Sequence, residues 1–174
     1  MGLLKVVAAL WVVLTSAAAG WLVGDGYQRR LVELGSFRAA LQLLETEISY
    51  GATPLPNALE AVADHYPGPV AAVARGTAGA MRDGTGVPVS TAWQAAIQGA
   101  AAGSALATRD WRILLDLGGV LGNSDGDDQV RHLRLAGARL AAVAAEVERQ
   151  APGQRRMWQY LGALVGLAVV VALI

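Results

Sequence analysis

The last 14 residues of the chain, 161–174, hold no charged or strongly hydrogen-bonding side chain. With Trp158, Gln159 and Tyr160 they make an apolar run of 17 residues. A helix buried in a soluble protein keeps a polar stripe somewhere, and this run has none from Leu161 onward. The sequence therefore predicts a transmembrane helix over 158–174, which at the helical rise reaches about 25 Å, the short limit for a span. The chain opens the same way. Residues 3–23 are apolar apart from Lys5, Thr15 and Ser16, long enough to cross a hydrocarbon core of about 30 Å. Trp11 falls mid-span, and Trp21 and Tyr27 fall near its far boundary, where aromatic rings favour the interface. A cleavable signal peptide ending at Ala17-Ala18-Ala19 is the competing reading. The apolar run continues past that point through Trp21, Leu22 and Val23, which favours a retained span. Gly20 with Gly24, and Gly162 with Gly166, form G-x-x-x-G faces suited to close packing of membrane helices. Glycine is also simply common in such helices.

Arginine sets the expected orientation. Arg29, Arg30 and Arg38 follow the first span, and Arg149, Arg155 and Arg156 precede the second, whereas only Lys5 and the amino terminus lie outside them. The positive-inside rule then places residues 28–156 in the cytoplasm and both termini across the membrane. The 174 residues carry 14 basic and 14 acidic side chains. That neutrality argues against a non-specific nucleic-acid binder, which needs clustered cations. The absence of cysteine excludes disulfides and thiolate chemistry. A hydrophobic share of 54% with 16% charge lies beyond an average soluble domain and excludes disorder.

Between the anchors no stretch alternates with period two, whereas helical spacing recurs. Leu31, Leu34, Phe37, Leu41, Leu44 and Ile48 form one apolar stripe, ending near Gly51-Ala52. Thr53 is expected to cap a second helix, with Pro54 and Pro56 in its opening turn and Leu55, Leu59 and Val62 inward. A third helix is expected from about Pro69 to Arg82, with Val70, Val73, Ala74 and Met81 inward. Ser90 is expected to cap a fourth around Trp93 and Ile97. Residues 99–107 read as a loose connection, and Thr108 as the cap of a fifth helix bearing Trp111, Leu114, Leu115 and Leu117. A turn over 122–128 leads to a last helix, capped by Ser124 or Asp125, with Val130, Leu133, Leu140, Val143 and Val147 on one side. That helix has one weak point, Pro152-Gly153, before the second span. The expected fold is all-α: a helical bundle of about six helices flanked by an N-terminal and a C-terminal transmembrane helix.

Catalytic patterns are missing. No lysine follows Lys5, so a P-loop is impossible. Gly24-x-Gly26 and Gly84-x-Gly86 lack the third glycine and preceding strand of a dinucleotide loop. His65 and His132 stand alone and read as surface or helix-end residues. Residues 123–128 imitate the start of a calcium loop, but Asp128 occupies the glycine position and Arg134 the bidentate-acid position. Glu45 and Glu47, two apart on a helix, face away from each other. The reading is a non-enzyme with no cofactor and no metal.

Several pieces together resemble the stage III sporulation protein AB family: Arg29-Arg30-Leu31; Leu41-x-x-Leu44-Glu45-x-Glu47-Ile48-x-Tyr50; Thr53-Pro54-Leu55-Pro56-x-Ala58-Leu59; Ala92-Trp93; Leu121-Gly122-x-Ser124-Asp125-x-x-x-Gln129; and Leu161-Gly162-x-Leu164-x-Gly166. The resemblance spans nearly the whole chain. It departs from the family pattern at Asn57, where Glu is expected, and in an Ala- and Arg-rich tail to the domain. It implies a membrane component of the channel complex between mother cell and forespore in endospore formation, located on the mother-cell side of the membrane around the forespore. It also implies a cytoplasmic bundle similar to the F-type platform protein of type II secretion and type IV pilus machines, beside a hexameric secretion-type ATPase from the same operon.

Asp125, Asp127 and Asp128, with Gln129, form an acidic knob at a helix start, and Thr53, Pro54, Leu55 and Pro56 form a corner; either is a candidate partner surface, or only a capping device. The expected partners are the other channel proteins with their ATPase, membrane lipid, no nucleic acid, and in addition further copies of the chain. A small membrane transporter or lipid-binding subunit is the alternative, weakened because no ionisable residue lies deep in either span.

Overall fold

The computed structural model describes the backbone of residues 2–173 apart from 52, 85, 123 and 124, and the side chains of residues 25–149 apart from the same positions. It is all-helical, with six helices and no strand among the described residues: α1 (Gly2–Ser49), α2 (Leu55–His65), α3 (Pro69–Arg82), α4 (Val89–Ala101), α5 (Thr108–Leu117) and α6 (Gly126–Leu173). The chain divides into two compact units, Met1–Arg29 with Glu146–Ile174, and Arg30–Ala145.

The sequence suggests a first anchor separate from the bundle and a last helix that runs with little interruption into the second apolar end. In the structure α1 and α6 are each one helix of 48 residues that includes an apolar terminal run. Between the first apolar run and Leu31 only Gly24 and Gly26 disfavour helix, at about 1 kcal/mol each, and no proline stands there to break it. The backbone of α6 likewise continues through 152–153. The segments read as spans, 3–23 and 158–174, and the small faces at Gly20, Gly24, Gly162 and Gly166, lie outside the residues whose side chains are described. Among the described residues, no helix is long and apolar enough to cross a membrane.

Within Arg30–Ala145 the apolar stripes meet as their spacing dictates. Leu34, Phe37, Leu41 and Leu44 of α1 are buried, as are Leu59 and Val62 of α2, Val70 and Val73 of α3, Trp93 and Ile97 of α4, Trp111, Leu114 and Leu117 of α5, and Leu133 and Leu140 of α6. Each such side chain contributes about 1.5–3 kcal/mol when fully buried. Phe37 and Trp111 meet edge to face, with ring centroids 5.4 Å apart. Helices α2 and α3 run antiparallel: Arg82 pairs with Glu60 and Asn57 at one end, and Arg75 Nη2 donates to the Ala63 carbonyl at 2.9 Å nearer the other. Helices α3 and α4 pack closely where Gly76 faces the Ala96 methyl, with room for little more than hydrogen.

Three expected caps are displaced by one or two residues. Pro54, not Thr53, is the N-cap of α2, and the Thr53 hydroxyl donates to Glu47 Oε2 at 2.8 Å instead. Pro88 precedes α4, leaving Ser90 inside its first turn. Ala107 precedes α5, which makes Thr108 its first residue, and the capping role passes to Asp110, whose Oδ2 accepts from the Ala107 N–H at 2.9 Å. At α6 the expectation holds: Asp125 Oδ1 accepts from the Asp128 N–H at 2.8 Å. The connection read as loose from residue 99 is shorter, because α4 continues to Ala101.

Candidate partner-binding surface

The two candidate patches, 71 residues apart at their capping positions Pro54 and Asp125, share one wall of the bundle: the last turn of α1. Thr53 is tied to that turn by its hydroxyl and by its N–H, which donates to the Glu47 carbonyl at 3.3 Å. From the other side a Cβ added to Gly126, the first residue of α6, would lie 3.9 Å from Ile48 Cγ2. Arg134 Nε donates to Glu45 Oε1 at 2.8 Å and fixes α6 along the same helix. Glu45 and Glu47 thus serve different partners, as their spacing requires. Tyr50, the residue directly after α1, is 88% exposed.

The acids of the knob are unequal. Asp128 is half-buried and engaged: Arg131 Nη2 donates to it at 2.6 Å, and His132 Nδ1 stands 3.6 Å away. Gln129 is half-buried, its N–H donating to the Asp125 carbonyl at 3.0 Å. Asp125 and Asp127 are exposed. At the corner Pro54 is exposed, while Thr53, Leu55 and Pro56 are half-buried. Of the eight candidate residues, Asp125, Asp127 and Pro54 therefore present the most accessible surface, with Tyr50 added by the structure. Both histidines bond to their own helices, His65 Nδ1 to the Ala61 carbonyl at 2.8 Å and His132 Nδ1 to the Asp128 carbonyl at 2.9 Å.

A second polar constellation lies at the opposite end of the α1 segment in this unit. Arg30 donates through Nε to Asp110 Oδ2 at 2.8 Å and through Nη2 to Asp110 Oδ1 at 2.9 Å. One turn along, Glu33 Oε2 accepts from the Ser104 hydroxyl and from the Ala105 N–H at 2.9 Å. These bonds fasten the 102–107 connection and the start of α5 to α1. Arg30 is thus an ion-pair partner, besides any weight it has as a juxtamembrane cation. The sequence carried a signal for this clamp. Arg30 stands four residues before Leu34 on the apolar stripe of α1, and Asp110 four before Leu114 on that of α5. Opposite charges on two buried stripes need each other.

With this geometry in place, three comparisons bear on the chain. The family model described as Stage III sporulation protein AB matches residues 5–174. Stage III sporulation protein AB of Bacillus subtilis (strain 168) is 29% identical over 171 residues, covering 98% of this chain and 99% of its own. A solved structure of Stage III sporulation protein AB (SpoIIIAB) matches with a TM-score of 0.65 and 30% identity, over 71% of this chain and 96% of that one. A family match that spans both long helices and the bundle, joined to the same helical fold in a solved relative, makes this chain a member of the stage III sporulation protein AB family, with a role in sporulation.

Proposed function

We propose that the chain is a non-enzymatic platform, anchored in the membrane by its two apolar ends. On this reading it presents its bundle on the mother-cell side to other proteins of the channel complex, including a secretion-type ATPase. The observation that carries it is the end of the bundle around the last turn of α1, where Asp125 and Asp127 remain exposed beside Tyr50 and Pro54. Most other acids near this end bind within the chain: Glu45 to Arg134, Glu47 to Thr53, Asp128 to Arg131, Glu60 to Arg82. A scaffold needs a rigid support and a charged, accessible end, and the internal pairs supply the first while the two exposed acids supply the second. Two helices entering the bundle would hold it in one orientation better than one.

Site-specific crosslinking in sporulating cells tests this. Because the chain has no cysteine, a single cysteine at Tyr50 or Asp127 is the sole thiol. Capture of the ATPase from these positions, with sporulation arrest after engulfment and intact vegetative growth on deletion, is the expected result. A growth or solute-uptake defect on deletion, with no capture, would replace the platform by a transport subunit.

A further inference from the structure

Aspartate followed by glycine stands three times in the chain, at 25–26, 83–84 and 125–126. A glycine leaves its own amide nitrogen unshielded, because it has no Cβ. That nitrogen can attack the side chain of the aspartate before it wherever the backbone is free to turn. The fold treats the three pairs differently. Asp25 and Gly26 lie inside α1, held by the helical ladder on both sides. At the third pair Asp125 Oδ1 accepts from the Asp128 N–H at 2.8 Å, and the Asp125 carbonyl accepts from the Gln129 N–H at 3.0 Å. Its carboxylate and the peptide after it are both tied to the first turn of α6.

Asp83 has neither restraint. It is the C-cap of α3, its N–H donating to the Gly79 carbonyl at 3.0 Å. Its carboxylate has no hydrogen bond or ion pair among the described residues. Both Asp83 and Gly84 are exposed, and a Cβ added to Gly84 would meet nothing within 4 Å. Gly84 and Gly86 each have φ +66°, a turn conformation outside any ladder. The next backbone bonds along the described chain belong to α4, where Thr91 and Ala92 donate to the Pro88 carbonyl.

We propose that Asp83-Gly84 is a site of spontaneous isomerisation, where the chain acquires an isoaspartyl linkage while helix protects its other two Asp-Gly pairs. Rotation about the Asp83 Cα–C bond, which stands at ψ 0°, brings the Gly84 nitrogen to the carboxyl carbon Cγ of Asp83. A bond forms between them. One carboxyl oxygen leaves as water, taking the Gly84 amide proton and the proton of the acid form, and a five-membered succinimide closes. Water then adds back. Addition at Cγ restores aspartate, whereas addition at the main-chain carbonyl carbon breaks its bond to the Gly84 nitrogen and routes the backbone through Cβ and Cγ. Mass and oxidation state are unchanged. The added backbone carbon lies one residue from Arg82, whose bonds to Glu60 and Asn57 hold α3 against α2.

The test ages the full chain in neutral detergent at neutral pH. Isoaspartate is located by electron-transfer fragmentation of the proteolytic peptides, and its amount is read by methyl transfer from S-adenosylmethionine with an isoaspartyl methyltransferase. A helix cap is worth roughly fivefold in the local opening equilibrium, so Asp83 should convert at least that much faster than Asp125. Asp25 should convert more slowly than Asp83 as well. In urea that unfolds the bundle, the rates at Asp83 and Asp125 should draw together. Asp83→Glu should remove most of the methyl acceptance, because glutamate must close a slower six-membered ring. Asp83→Asn should convert faster, releasing ammonia with a visible gain in mass. Both variants alter an exposed side chain, and unchanged thermal unfolding before ageing verifies their fold. Isoaspartate appearing first at Asp125 or Asp25, none at Asp83 in the folded chain, or a difference between Asp83 and Asp125 that persists in urea overturns the proposal.

Discussion

Arg30 and Asp110, 80 residues apart in sequence, meet through two hydrogen bonds of 2.8 and 2.9 Å, with the Asp110 side chain wholly buried and that of Arg30 16% exposed. A carboxylate with no access to water depends on its partner, so removing Arg30 leaves an uncompensated buried charge. Arg30→Ala should cost about 3–5 kcal/mol in denaturant unfolding. Arg30→Lys should recover only part of this, because an ammonium cannot satisfy both oxygens in the fork geometry. Replacing both residues by apolar ones, Arg30→Met with Asp110→Leu, should recover most of the loss. It should fall short by about 1 kcal/mol, because Asp110 also caps the Ala107 N–H.

Glu33 works on the neighbouring connection. Its Oε2 accepts the Ala105 N–H at 2.9 Å, and a hydrogen bond to a charged group is worth about 1.5–3 kcal/mol. Glu33→Ala should therefore speed hydrogen exchange at the Ala105 amide by roughly 10–100-fold. Amides in the α3 interior, which make no contact with Glu33, should be unchanged. Uniform acceleration across the bundle would mean that Glu33 stabilises the whole fold instead of this loop.

Helix positions were legible in the sequence because apolar spacing survives any detail of the termini: the limits expected for α3, Pro69 to Arg82, are those observed, and Trp93, Ile97, Leu114 and Leu140 are all buried. The caps were less so. Thr53, Ser90 and Thr108 are good capping residues by type, yet Pro54, Pro88 and Ala107 hold the cap positions instead. Pro54 already has the extended backbone that a cap needs, and Asp110 serves from inside the helix the role expected of Thr108. The clamp was hidden for a different reason. Arg30 belongs to a juxtamembrane arginine cluster, which has a sufficient explanation in topology, and its partner lies 80 residues away. The nearness of the corner and the acidic knob could not be read at all, since it depends on Thr53 and Arg134 bonding to Glu47 and Glu45 near the end of α1.

Glycine substitutions separate backbone need from spare room. Gly122 has φ +77°, and a Cβ there would lie 2.6 Å from Val89 Cγ2. Gly122→Ala combines the left-handed penalty of about 1–2 kcal/mol with that collision, so thermal unfolding should move down by several degrees. Gly35 in α1 has nothing within 4 Å of an added Cβ. Gly35→Ala should stabilise by about 0.5–1 kcal/mol, through helix propensity alone.

The two buried tryptophans should respond differently to loss of the indole nitrogen. Trp93 Nε1 donates to the Leu114 carbonyl at 2.7 Å, whereas Trp111 Nε1 is buried with no partner among the described residues. Both lose apolar area on replacement by phenylalanine. Trp93→Phe also loses a hydrogen bond worth about 1 kcal/mol, while Trp111→Phe removes a donor whose unmet desolvation costs about 1–3 kcal/mol. Chemical unfolding should rank Trp93→Phe as the more damaging of the pair, and the reverse order would mean that the Trp111 donor has an acceptor, such as a buried water.

Asp125 has two roles to separate, since its carboxylate caps α6 while its charge faces outward. Asp125→Ala removes both and should cost about 1 kcal/mol of stability, so a loss of partner capture in that variant would be ambiguous. Asp125→Asn keeps an oxygen for the Asp128 N–H and removes only the charge. Asp127, exposed and with no capping bond, serves as the cleaner probe: Asp127→Asn should leave unfolding within about 0.5 kcal/mol of the parent. If the acidic end docks a basic partner surface, the Asp125→Asn, Asp127→Asn double variant should weaken crosslinked capture of the ATPase and steepen its loss with salt, at unchanged stability. Undiminished capture would move the docking surface to the Tyr50 and Pro54 side of the same corner, where Tyr50→Ala becomes the deciding substitution.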